Sequence, residues 1–151
     1  MRLAGVLLAI GAACAPISGE DVLTGLKRTD MPPEHIAFFA EEAARAGVTQ
    51  LAINNGMGDY GRMRYSSKSR ESSMEINLNR DPEVVPAAVA HEIAHGTAFR
   101  AGCQNHGAVW KKAQLGIAQR FEARFPGTLW GKRRPTEEVR HWFTRYTDEH
   151  C

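Results

Sequence analysis

A chain of 151 residues is long enough for one domain around a single buried core and too short for two. With 43% hydrophobic and 24% charged residues it has the composition of an ordinary globular protein, and no internal repeat or low-complexity tract is visible. A formal net charge of +2 argues neither for nor against a polyanionic partner.

Residues 1–18 stand apart from the rest. Arg2 precedes an uncharged run, Leu3 to Ala13, which is too short to span a bilayer but has the length and small-residue end of a secretory signal. The expectation is a signal peptide, or a lipid-bearing Cys14 after Gly-Ala-Ala, and hence an exported protein: periplasmic, secreted or lipid-anchored. The alternative is a buried N-terminal helix of a cytoplasmic protein. Three cysteines, Cys14, Cys103 and Cys151, leave an even pair once Cys14 is removed or lipidated, which suits an oxidising compartment. Spacing does not say whether Cys103 and Cys151 meet. No C-x-x-C signals a second, structural zinc site.

Residues 19–151 read as one domain. Asp30 to Gly47 predicts the first firm helix, with Asp30 as cap, Pro32 and Pro33 in the first turn and Gly47 as its stop. Ile36, Phe39, Ala40 and Ala43 form its apolar stripe, and His35 lies off that stripe, in solvent. Val48 to Ile53 reads as a strand and Asn54 to Asp59 as a turn. Arg62 to Ser66 alternates Arg62 and Arg64 against Met63 and Tyr65, a half-buried strand. After a polar loop, Met74 to Leu78 alternates again, with Met74, Ile76 and Leu78 inward. These pieces predict a small, mostly antiparallel sheet.

Next comes an apolar run, Val84 to Phe99, whose helix begins after Asp81-Pro82 or at Pro86; the sequence does not decide. It carries His91-Glu92-Ile93-Ala94-His95, an H-E-x-x-H pattern. Residues four apart share a helix face, so His91 and His95 aim two imidazoles at one point, where a zinc ion fits. Glu92 is a poor third ligand from its position but is well placed to hold and deprotonate a water. The residues beside the histidines are small (Ala87, Ala88, Ala90, Ala94, Gly96), which lets another element approach closely, and Gly102 is a plausible stop.

After Cys103-Gln104-Asn105, with Asn105 as a candidate cap, a helix from His106 to about Arg124 places His106, Trp110, Ala113, Ile117 and Phe121 on one face. Packing that face on the motif helix brings His106 in as third ligand. Pro126-Gly127 breaks the helix, and a last amphipathic helix after Thr136 presents Val139, Trp142, Phe143 and Tyr146. Positive charge concentrates late, in Lys111, Lys112, Arg120, Arg124, Lys132, Arg133, Arg134, Arg140 and Arg145. Such a stripe either touches phosphates or forms an ordinary solvated face.

The strand Glu75-Ile76-Asn77-Leu78-Asn79, the lead-in Val89-Ala90, the H-E-x-x-H motif and the box His106-Gly107-Ala108-Val109-Trp110, in that order, resemble the SprT-like zinc metallopeptidases. The likeness covers about residues 30–125. It implies an α+β, compact zincin-like fold, with a small sheet packed on an active-site helix and further helices. It also implies Zn2+ held by His91, His95 and His106, a catalytic Glu92, and a protein or peptide substrate. The cysteine-rich ribbon that bacterial relatives often carry is not present, and Val109 stands where an acidic residue is common. The metzincin pattern fails at Ala98 and Ala101, and the next downstream acid, Glu122, is too far along its helix for a gluzincin ligand.

Two functional expectations follow. The first is a zinc metallopeptidase in which Glu92 is the general base and the strand Met74 to Asn79 offers its edge to an extended substrate. Tyr60, Tyr65 and His141 are candidates for oxyanion support by chemistry alone. The second is a non-enzymatic module that keeps zinc as a staple and binds nucleic acid through the late basic stripe. Neither needs a transmembrane span, and oligomeric state is not readable.

Overall fold

The computed structural model describes residues 19–147 and 149–151, so the expectations for residues 1–18, including Cys14, lie outside the described residues. Among the described residues the fold is α+β: five α-helices and a small mixed four-stranded sheet. Strand β1 (Glu20–Asp21) leads into the short helix α1 (Val22–Leu26), then α2 (Pro33–Ala46) and the strands β2 (Val48–Ile53), β3 (Gly61–Ser66) and β4 (Glu71–Ile76). A 3-10 turn (Pro82–Val84) opens α3 (Val85–Arg100), which is followed by α4 (Ala108–Arg124) and α5 (Pro135–Phe143). None of the described helices is long and apolar enough to cross a membrane.

The strand order is β1-β2-β4-β3, with β2 and β4 parallel and the other two pairings antiparallel. β4 therefore lies inside the sheet, which corrects the expectation that Met74 to Asn79 offers an edge. The strand also begins and ends earlier than its alternation suggested. Glu75, on the face opposite Met74 and Ile76, is also buried and accepts from Asn54 Nδ2 at 3.2 Å, while Leu78, expected inward, is only half-buried. β3, with pairing shown only to β4 among the described residues, is the edge. Its Met63 and Tyr65 are half-buried and its Arg62 and Arg64 exposed, as the alternation predicts.

Several local signals act as expected. Gly47 closes α2 at φ 73°, and Gly102 follows α3 at φ 82°, both left-handed positions where a side chain is costly. Others differ. Asp30 does not cap α2, whose N-cap is Pro32 with no side-chain bond; the proline ring already sets the entry conformation. His35 is not free in solvent but packs against Phe121 and Phe125, ring centres 4.9 and 4.5 Å away, because α4 runs past that side of α2.

α3 is buried on nearly every side, by the sheet, α2 and α4. A helix covered in this way loses its amphipathic signature and needs small residues where neighbours press. At Gly96 a Cβ would sit 2.9 Å from the Ala46 carbonyl oxygen and 2.8 Å from Val48 Cγ2. α4 crosses α3 with Trp110, Ile117 and Phe121 buried, and the Trp110 indole N–H donates to the His91 carbonyl at 3.1 Å. One end of the core is an aromatic cluster of Phe38, Phe39, Phe121 and Trp130. His106 lies just before the opposite end of α4 from Phe121.

Candidate metal centre

His91 and His95 stand one turn apart on α3, as the i, i+4 spacing requires. His106 lies in the connection just before α4, not in the helix itself, and the buried Trp110 one turn later anchors that connection on α3. The three Nε2 atoms converge: His91 to His95 3.3 Å, His95 to His106 3.1 Å, and His106 to His91 3.2 Å.

Three ring nitrogens at such distances cannot all carry protons. Burial, then repulsion among the three rings, holds His91 well below the usual histidine range and takes His95 down to about 3. Burial also lowers His106, with the neighbouring Glu149 acting in the opposite sense. The imidazoles are therefore neutral at pH 7, with three Nε2 atoms converging on one point, and the group can hold a metal ion.

Glu92 is buried beside this point, its Oε1 4.0 Å from His91 Nε2. Burial first, then the charge of Asp59, pushes its carboxyl up to about 8, with Arg62 pulling it back. The start of β3 presses on it so closely that a Cβ at Gly61 would lie 2.6 Å from Glu92 Oε1. A side chain at this position would have to displace the Glu92 carboxyl. No periodicity in the sequence marks Gly61 as a site residue.

The histidines and Glu92 open onto a cleft of about 520 Å³. Its rim carries Arg62, Arg80 and Arg145, and the Arg80 guanidinium lies over the Tyr60 ring at 4.7 Å. Of the three residues considered for oxyanion support, Tyr60 lines this cleft. Tyr65 packs on Phe99 in a side pocket, and His141 is exposed on a different cleft. The sequence reading missed Tyr146, whose ring stacks on His106 with centres 3.8 Å apart, and Glu149, whose Oε2 accepts from His106 Nδ1 at 2.9 Å. Tyr146 read only as part of an apolar face. The one signal for Glu149 was its place two residues before Cys151, given that Cys103 lies three before His106. Those cysteines are joined in a disulfide, Cα atoms 5.8 Å apart.

Fold and site together define an α+β protein with a three-histidine group, two buried and one half-buried, able to take a metal ion beside a buried glutamate. Comparison with protein-family models, with curated proteins and with solved structures finds no match.

Proposed function

We propose that the chain is a zinc-dependent metallopeptidase of the SprT-like kind, acting on protein or peptide substrates, with His91, His95 and His106 as ligands and Glu92 as general base. The observation that carries this reading is the triangle of Nε2 atoms with a non-ligating carboxylate beside it in an open cleft. A tetrahedral zinc with nitrogens at 2.0–2.1 Å sets neighbouring ligands about 3.3 Å apart. The observed 3.1 to 3.3 Å fits that spacing. An all-imidazole set suits zinc better than the oxygen-seeking magnesium or calcium, and three protein ligands leave a fourth position for chemistry.

A zinc ion held by the three histidines would supply a Lewis acid and lower the pKa of a water toward 7. Its charge would also bring the Glu92 carboxyl down from about 8, so that Glu92 could take the proton of the attacking water and return it to the leaving amine. The outer edge of β3, whose Gly61 to Met63 line the cleft, aligns an extended substrate by strand addition. The disulfide supports an exported location. The rival nucleic-acid module has less support, because Arg120, Arg124, Arg133 and Arg134 of the basic stripe are paired with Glu42, Glu41, Glu138 and Glu137.

Glu92→Gln keeps the shape of the side chain but cannot accept a proton at neutral pH. Zinc content should stay at the wild-type level, while cleavage of an unfolded protein such as casein falls at least about a hundredfold. A Glu92→Gln protein that cleaves as fast as wild type ends the peptidase reading.

A further inference from the structure

The three ligand candidates are not held alike. His91 Nδ1 and His95 Nδ1 have no hydrogen-bond partner among the described residues, and these two rings are fixed by burial on α3. His106 lies on an irregular connection and is half-buried, so packing alone holds it less firmly. Its Nδ1 faces the Glu149 carboxylate, which can only accept. That fixes the proton on Nδ1 and leaves the lone pair on Nε2, the atom in the triangle.

Glu149 belongs to a tail whose described residues after α5 form no helix or strand but are fastened at many points around His106. Tyr146 stacks on the imidazole, and its carbonyl accepts from Lys111 Nζ at 2.5 Å. The His106 backbone N–H also donates to Glu149 Oε2. The His150 carbonyl accepts from Asn105 Nδ2, and the Cys151 carbonyl accepts from Val109 N at 2.8 Å. The tail runs so close to the chain here that a Cβ at Gly107 would lie 2.7 Å from the Cys151 nitrogen. The disulfide from Cys151 to the buried Cys103 closes the loop.

We propose that Glu149 is a positioning residue for the metal centre, carried to His106 by a C-terminal strap that the Cys103–Cys151 disulfide holds down. The proposal rests on the reading of the three histidines as a metal centre, and not on peptidase activity. A carboxylate behind a ligating imidazole orients the ring, selects its tautomer and raises its basicity, and loss of such a partner typically weakens metal affinity about 10- to 100-fold. Removing the disulfide would free the strap and weaken the same contact, so metal affinity should depend on a bond between two residues that do not face the ion.

Zinc affinity of the full chain, read by competition with a chromogenic chelator, tests this. Glu149→Ala should bind about 10- to 100-fold more weakly than wild type. Glu149→Gln, which keeps an acceptor oxygen without the charge, should fall between them. Cys151→Ser should weaken binding in the same direction, and combining it with Glu149→Ala should add little, because both act through one contact. Nitrogen NMR of the imidazoles gives a readout independent of metal: His106 should be the Nδ1–H tautomer in wild type and a tautomer mixture in Glu149→Ala. Glu149→Ala with wild-type zinc affinity and an unchanged His106 tautomer overturns the proposal while leaving the metal centre intact. A wild type that takes up no zinc overturns the metal-centre reading and this proposal together.

Discussion

At the scale of single residues, a histidine's role is set by which nitrogen is free and what holds the other. His91 and His95 point Nε2 into the triangle because α3 fixes their direction, whereas His106 depends on Trp110, Tyr146 and Glu149. Purified protein should carry about one zinc per chain, and His106→Ala should lower that occupancy markedly, as measured by elemental analysis. His141→Ala should leave it unchanged, since His141 is exposed on another cleft. Equal occupancy in wild type and His106→Ala would remove His106 from the centre. The sequence made His91, Glu92 and His95 legible because helix spacing is rigid. His106 was legible only through the face it shares with Trp110. Glu149 was not, because a carboxylate in an irregular tail has no period, and only a known disulfide brings it near His106.

At the scale of elements, spacing gave α2, β2, β3 and the buried Trp110, Ile117 and Phe121 of α4, but not the ends of the last two helices, which leave out His106 and Tyr146, nor the order of strands. The alternation at Met74 to Leu78 marked a buried face and said nothing about the other. Once β4 pairs with β2 on one side and β3 on the other, both of its edges are taken and Glu75 is enclosed. The two-residue strand β1 was beyond any pattern of that length. Element contacts also carry consequences that residue spacing alone does not show. Gly61 at the head of β3 makes room for the Glu92 carboxylate, and Gly61→Ala puts a Cβ 2.6 Å from Glu92 Oε1. The cheapest relief is movement of the flexible glutamate rather than of the strand. Gly61→Ala should therefore fold and load zinc normally yet lose activity on casein about tenfold or more, the scale of a displaced acid–base group. Gly96→Ala meets a backbone oxygen of α2 instead, which cannot swing aside. It should cost about 1–3 kcal/mol of stability, read by denaturant unfolding. If Gly61→Ala proved the destabilising change and Gly96→Ala the neutral one, the packing described for α3 would be wrong.

At the scale of the whole molecule, the core keeps histidines neutral and a carboxyl protonated, and the two act in opposite senses on stability. His35, His91, His95 and His106 all have folded pKa values below the ordinary 6.5, chiefly through burial. As pH drops below 6.5 the unfolded chain takes up protons that the folded chain refuses. Stability then falls toward the folded values, about 3 for His95. Glu92 does the reverse. Its folded carboxyl keeps a proton up to about 8, while the unfolded one releases it near 4.5, so its contribution is complete below 4.5 and is lost as pH rises through about 8. Between 4.5 and 6.5 four histidines oppose one carboxyl, and stability should rise with pH. Between 6.5 and 8 only Glu92 acts among these groups, and stability should fall. The chelator-treated protein should thus show its highest melting temperature near pH 6.5. Zinc binds the folded chain and competes with protons for the imidazoles, so the loaded protein should melt higher and have its optimum shifted upward. Melting curves from about pH 4 to 9, with and without zinc, check both statements. A metal-free melting temperature that does not change between pH 4.5 and 6.5 would mean that the histidines are not buried as neutral groups. One that keeps rising to pH 8 would mean the same of the protonated Glu92.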